Sequence, residues 1–160
     1  RPNMRWTVSV FVFLFLAASC AKVGVFVHDE HKANAIASEF LGGLATHKYE
    51  TSYRLLHPNV QSQLSYQRFS TMAQAQEEKL GKMESAIWDA FYPQPGEPLI
   101  GLHYVVRYAM AGEADYYLLL RLDRDKYLIQ YFVNGPKGEV NPQMVMQLKQ
   151  PVEPQEVLRS

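Results

Sequence analysis

The stretch LIGLHYVVRYAMAGEADYYLLLRLDRDKYLIQYFV, residues 99 to 133, decides the fold. Two polar turns divide it into three apolar runs. In each run apolar side chains recur at every second position: Leu102, Tyr104, Val106, Tyr108 and Met110; Tyr116, Leu118, Leu120 and Leu122; Tyr127, Ile129, Tyr131 and Val133. A period of two is that of a strand with one buried face. Residues opposite one another in a ladder point to the same side of the sheet, so these faces also set a register. Pairing even with even across the first turn takes an odd loop, most simply Gly112-Glu113-Ala114, which puts Met110 opposite Tyr116 and Tyr104 opposite Leu122. Pairing even with odd across Asp123-Arg124-Asp125-Lys126 puts Leu122 opposite Tyr127 and Leu118 opposite Tyr131. Both turns agree on an antiparallel meander with one buried face.

Working outward toward the N-terminus, Lys82 to Tyr92 reads as a further strand. Its two sides carry Met83, Ile87 and Phe91, and Ala86, Trp88 and Tyr92. Three prolines between Pro93 and Pro98 then make a loop. Before that strand, Phe69, Met72, Ala73, Gln76 and Leu80 form the stripe of a helix that starts on an N-cap at Ser65 and stops at Gly81. Asn59 to Leu64 reads as a polar connector. Tyr49, Tyr53 and Leu56 mark a short helix stopped by His57-Pro58, because proline disfavours helical geometry in the residue before it. Ala33, Ile36, Ala37, Phe40, Leu41 and Leu44 recur at three and four, the spacing of a helix with one buried stripe, and Gly42-Gly43 weakens its end. His28-Asp29-Glu30-His31 has metal-ligand residue types, but acidic residues at that position also cap and favour a helix N-terminus. The capping role is the reading taken, with no metal site. Past Val133 come Gly135-Pro136-Lys137-Gly138, an apolar run at Met144 to Leu148, and a proline-bearing tail.

The chain of 160 residues is 48% hydrophobic and 20% charged, which bounds it to one globular domain and an N-terminal segment. Sixteen basic and sixteen acidic side chains cancel, so the electrostatic footprint required by nucleic-acid binding is missing. The single cysteine, Cys20, excludes an intramolecular disulfide framework.

Residues 1–20 read as an export signal. Arg5 supplies the positive end, Val8 to Leu16 is apolar apart from Ser9, and Ala17-Ala18-Ser19 are small. Met4 is the expected start of translation. Leu16-Ala17-Ala18-Ser19-Cys20 resembles a bacterial lipobox, which implies a diacylated Cys20 as the mature N-terminus and a membrane attachment through its acyl chains. Cleavage beside Ser19 or Ala21, and an uncleaved anchor, are the alternatives; each places the domain outside the cytoplasm. Ala21 is not the aspartate that retains many lipoproteins at the inner membrane, so in a diderm host the resemblance implies the outer membrane, facing the periplasm. The expected organisation is a signal segment with its lipobox cysteine over 1–20, a tether over 21–32, an α+β domain over 33–134 and a C-terminal extension over 135–160.

The fold class expected is therefore α+β: N-terminal helices packed on a curved four-stranded antiparallel sheet. Ala37-x-x-Phe40-Leu41, Lys48-Tyr49-x-x-x-Tyr53, Ser65-x-x-x-Phe69, Leu80-Gly81 and Asp125-Lys126-Tyr127-Leu128-Ile129 resemble small bacterial envelope proteins of the nuclear transport factor 2-like superfamily. That resemblance implies a cone with a pocket between helices and sheet, in a superfamily of isomerases, cyclases, dehydratases and non-catalytic binding domains. Tyr104, Tyr108, Tyr116 and Tyr131 are the expected pocket-lining residues. They can donate hydrogen bonds to a developing oxyanion, but a base is missing from their face: Asp89, His103 and Asp115 are the available titratable side chains on or beside strands, and by parity His103 and Asp115 point outward with Arg107 and Arg121. No catalytic residue and no cofactor is assigned, and the reading is a non-catalytic binding or interaction domain, the alternative a small-molecule enzyme in the cone pocket. On the outer face Val105, Tyr117, Leu119 and Phe132 make an apolar patch rimmed by charge, an expected interface. A second copy, the chain's own C-terminal segment or another envelope protein are the three candidate covers.

Overall fold

The computed structural model describes residues 27–94 and 96–147. Cys20, the export segment and Leu148 lie outside them. Four helices precede the sheet: α1 (Glu30–Ala45), α2 (Tyr49–Arg54), α3 (Pro58–Gln63) and α4 (Tyr66–Leu80). The strands β1 (Met83–Pro93), β2 (Leu99–Tyr108), β3 (Gly112–Asp123) and β4 (Lys126–Pro136) follow, and then α5 (Pro142–Gln147). The sheet is an antiparallel meander in the order β1-β2-β3-β4. Among the described residues no helix is long and apolar enough to cross a membrane.

The helix starts follow from capping. Asp29 accepts from the Lys32 amide at 3.1 Å and Ser65 from that of Arg68 at 3.3 Å, each relieving one of the unpaired N–H groups of a first turn. Of the expected connector, residues 59–63 belong to helix α3 and Leu64 is its C-cap. Pro58 occupies the first helical position, where its missing N–H costs nothing, and His57 Nδ1 caps by accepting from the Asn59 amide at 3.2 Å. Val60 and Leu64 are thereby turned into the core. Gly43 does not end α1 but lets α2 approach: Ser52, fully buried, donates its hydroxyl to Phe40 O at 2.7 Å where a side chain at residue 43 would lie.

The parity of β2 and β3 is as the sequence predicts, with Ile100, Leu102, Tyr104, Val106 and Tyr108 facing the helices beside Ala114, Tyr116, Leu118 and Leu120. The register differs. Tyr104 lies opposite Tyr116 and Tyr108 opposite Gly112, so the turn is Ala109-Met110-Ala111. Gly112 takes the left-handed φ of 76° that closes a three-residue hairpin. The amides of Met110 and Ala111 donate to Leu80 O at 3.0 and 2.9 Å, tying the turn to the end of α4. Met110, expected on the inner face, is consequently exposed.

Three single-residue bulges bend the sheet, at Glu84 and Asp89 in β1 and at Gln130 in β4. Each reverses the side-chain parity beyond it. In β1 the core side is Met83, Ala86, Trp88 and Phe91, while Ile87 is exposed. In β4 Leu122 faces Tyr127 as expected, but Leu118 faces Phe132 and Leu119 faces Tyr131. The free edge of β4 is partly closed by the α2–α3 connection, where His57 N–H donates to Ile129 O at 2.7 Å and Ile129 N–H to Leu55 O at 2.8 Å.

Candidate functional site

The helix-facing side of the sheet is mostly filled. Phe40 of α1, Phe69 of α4 and Phe132 of β4 pack ring on ring, with centroids 5.2 to 6.1 Å apart. Tyr116 and Tyr108 lie buried in the same core. Asn134 Nδ2 donates to Tyr108 OH at 3.1 Å, and Gln76 Nε2 donates to Asn134 Oδ1 at 2.7 Å, so this polar chain is satisfied internally. Burial pushes the Tyr108 phenol up to about 12 against the opposing Asn134 hydrogen bond, and holds that of Tyr116 well above its ordinary range. Neither offers a free hydroxyl to a ligand chamber.

An opening lies between α1 and β1. A cleft of about 250 Å³ is walled by Ser38, Leu41, Gly42 and Ala45 on one side, Met83, Glu84, Ser85 and Ala86 on the other, with Tyr104 among its lining residues. The Glu84 bulge shapes its strand wall. Tyr104 OH donates to Asn34 Oδ1 and lies 3.3 Å from Ser38 Oγ. Burial raises the Tyr104 phenol, and the Ser38 hydrogen bond partly offsets this.

Of the four tyrosines expected in a pocket, the structure thus brings Tyr104 to the cleft, places Tyr108 and Tyr116 inside the packed core, and puts Tyr131 on the opposite side of the sheet. The Gln130 bulge accounts for Tyr131, and by the same reversal Phe132, expected at an outer interface, joins the core. Val105, Tyr117 and Leu119 do lie on the outer face; Val105 is half-buried, Tyr117 is buried and Leu119 is 0% exposed. On β3, the strand that carries Tyr117 and Leu119, packs α5, with Val145 buried.

The outer face also carries a titratable cluster. His103 Nε2 lies 2.8 Å from Asp115 Oδ1, and its Nδ1 lies 2.8 Å from Asp89 Oδ2. The imidazole stacks on Tyr117 with centroids 4.4 Å apart. Asp115 Oδ2 further accepts the Gly138 amide at 2.6 Å. His103 and Asp115 point outward as parity requires. Asp89 reaches them because it is the bulged residue, which local sequence does not signal. Burial and the charges of Asp115 and Asp89, with Tyr92, push the Tyr117 phenol up to about 12.

The His28-Asp29-Glu30-His31 segment serves as a clasp. His28 Nδ1 lies 3.1 Å from Tyr127 OH and its Nε2 3.0 Å from Glu97 O, while the Asp29 amide donates to Tyr127 OH at 2.9 Å. Among the described residues no group of three or more His, Cys, Asp or Glu side chains is arranged to hold a metal.

No family model matches the chain and no curated protein matches it. Among solved structures, it is similar to a protein of Kribbella flavida described as of known function, at 8% identity and a TM-score of 0.44, over 65% of this chain and 87% of that one. It is also similar to an NTF2-like protein of unknown function from Cytophaga hutchinsonii, at 13% identity and a TM-score of 0.38, over 72% of this chain and 95% of that one.

Proposed function

We propose that the chain is a non-catalytic binding domain of the bacterial cell envelope, exported and held at a membrane surface by an acylated Cys20, with a small molecule as ligand of the α1–β1 cleft. The observation that carries the binding reading is the contrast between the packed aromatic cluster on the helix-facing side and the opening of about 250 Å³ beside it, between α1 and β1. Ligand pockets run from about 300 to 1,000 Å³ for drug-sized molecules, so the occupant is compact. Leu41, Ala45, Met83 and Ala86 suit an apolar body, and Glu84 suits a hydrogen-bond donor or a cation. The membrane address is supported by the sequence of residues 5–20 alone.

An isomerase-, cyclase- or dehydratase-type enzyme is the second reading, favoured by Glu84, a carboxylate lining the same cleft as Tyr104. Against it, Tyr104 gives its one hydroxyl proton to Asn34 and has none free for an oxyanion. On the outer face a second copy or another envelope protein is the proposed partner, with Ile87 exposed and Val105 half-buried there.

Trp88 pairs with Tyr104 across β1 and β2, so its fluorescence reports on the cleft. A compound screen read by that signal should find saturable binding that Glu84→Gln weakens, with no turnover of the bound compound. Turnover lost in Glu84→Gln would establish the enzyme reading, and an Ala86→Trp variant that binds as the wild type does would remove the cleft.

A further inference from the structure

The cluster on the outer face sits under the segment that leaves β4. Lys137 Nζ pairs with Glu113 at 2.7 Å, the Gly138 amide reaches Asp115, and α5 returns onto β3. Residues 137–147 therefore cross the outer face of the strand that carries Tyr117 and Leu119. At the point of attachment an imidazole is held between two carboxylates.

A carboxylate only accepts hydrogen bonds, so both His103 contacts are satisfied together when both ring nitrogens carry protons. The imidazolium then neutralises Asp115, whose side chain is 7% exposed, and Asp89, whose side chain is 57% exposed. Loss of one proton leaves one carboxylate facing a ring lone pair. Asp89 can turn into water at little cost, so the proton stays on Nε2 and Asp115 keeps its contact. What Asp115 loses is the compensating cation, and a buried carboxylate without one is costly. Water relieves that cost only by reaching Asp115, whose Oδ2 is covered by Gly138.

We propose that residues 137–147 form a strap that the Asp89–His103–Asp115 cluster holds closed over the outer sheet face while His103 is doubly protonated, and that loosens when His103 gives up a proton. The groups around the ring are consistent with a switch at this histidine. Asp89 of β1 and Asp115 and Tyr117 of β3 touch it, while Tyr92 of β1 acts on Tyr117, and Arg107 of His103's own strand acts on Glu113 of β3. Lys137 comes from the strap itself, its ammonium held above its ordinary range by the Glu113 hydrogen bond and charge, with Asp115 and Asp89 adding to it. Loosening the strap uncovers Tyr117 and Leu119, so the state of His103 decides whether that apolar surface meets solvent.

The test is nuclear magnetic resonance on the full chain, following the ring nitrogens of His103 and the amide of Gly138 through a pH titration. Both ring nitrogens should be protonated at the acidic end, and the Gly138 signal should move with the same midpoint as the ring. Exchange protection of Gly138, corrected for the intrinsic pH dependence, should fall roughly tenfold or more across that midpoint, as expected for loss of a charge-assisted contact. Protection that stays flat while His103 titrates, or a ring singly protonated at the acidic end, overturns the proposal. His103→Gln keeps a donor for Asp115 without the charge, so its strap should lose the pH dependence; retention of the wild-type profile would also overturn it. The wild-type titration decides by itself if that variant does not fold.

Discussion

Phe132 of β4 packs its ring on Phe40 of α1 with centroids 5.2 Å apart, and both rings reach Phe69 of α4. One extra residue in β4, Gln130, makes this possible, since without it Tyr131 would occupy the inner place. The bulge thereby joins the first helix, the last helix before the sheet and the last strand in one aromatic cluster.

Phe132→Ala should therefore destabilise the domain by about 3 kcal/mol, the low end for a large aromatic because the ring is only partly buried. Tyr131→Ala, on the other face, should cost clearly less. Urea denaturation of the two variants checks this, and equal midpoints would place the bulge elsewhere.

Leu119 and Leu120 occupy opposite faces of β3, yet both are 0% exposed. Sequence parity alone predicts that only Leu120→Ala is expensive in a monomer. With α5 packed on β3, each leucine-to-alanine change should cost about 2 to 5 kcal/mol. A thermal midpoint for Leu119→Ala close to that of the wild type would show that nothing covers this face in solution.

Gly43→Ala should destabilise by more than about 1 kcal/mol, although alanine is the better helix former. The added methyl meets Ser52 Oγ and lies 3.1 Å from Lys48 O, which belongs to the backbone and cannot give way easily. Gly42→Ala meets nothing within 4 Å and should be neutral or stabilising. Chemical denaturation of the pair isolates the close approach of α1 and α2.

Alkaline titration provides a check on burial on both faces of the sheet, through Tyr108 on the inner face and Tyr117 on the outer. Burial raises the phenols of Tyr108 and Tyr117 to about 12, while an unfolded tyrosine titrates near 10. The native state thus holds these protons more tightly. Their contribution to stability is complete below about pH 10 and is lost as pH rises toward their folded values. Tyrosinate absorbance should lag that of the denatured chain and rise steeply on unfolding; early ionisation of all tyrosines would mean an open interior.

The parts of this fold legible in the sequence are those set by alternation and capping. The inner faces of β2 and β3, the turn at Asp123 to Lys126, and the caps Asp29 and Ser65 follow from local residue types. A bulge has no such signature, because one inserted residue looks like any other, and Glu84, Asp89 and Gln130 each reassign the side chains beyond them. That is why alternation alone puts Tyr131 and Phe132 on the wrong faces and groups Ile87 with Met83 and Phe91 on one side of β1. Pro58 reads equally as a stop for one helix or the start of the next, and only tertiary burial of Val60 and Leu64 selects the second. The candidate cleft was legible at Tyr104, but Glu84 came to it through its bulge.

The envelope address has its own test in Cys20→Ser, expressed in a bacterial host fed a labelled fatty acid. Wild type should carry the label and sediment with membranes, since more than one acyl chain gives stable attachment where one gives marginal binding. The variant should lose both, and label that is absent from the wild type would remove the anchor.

Native mass spectrometry of the full chain, in mild detergent, tests the binding cleft most directly. The wild type should retain a compact molecule as a discrete mass increment, and Ala86→Trp, folded but with its cleft filled, should lose it. An increment kept by Ala86→Trp, or a wild type that retains nothing and responds to no compound, would contradict a ligand site between α1 and β1.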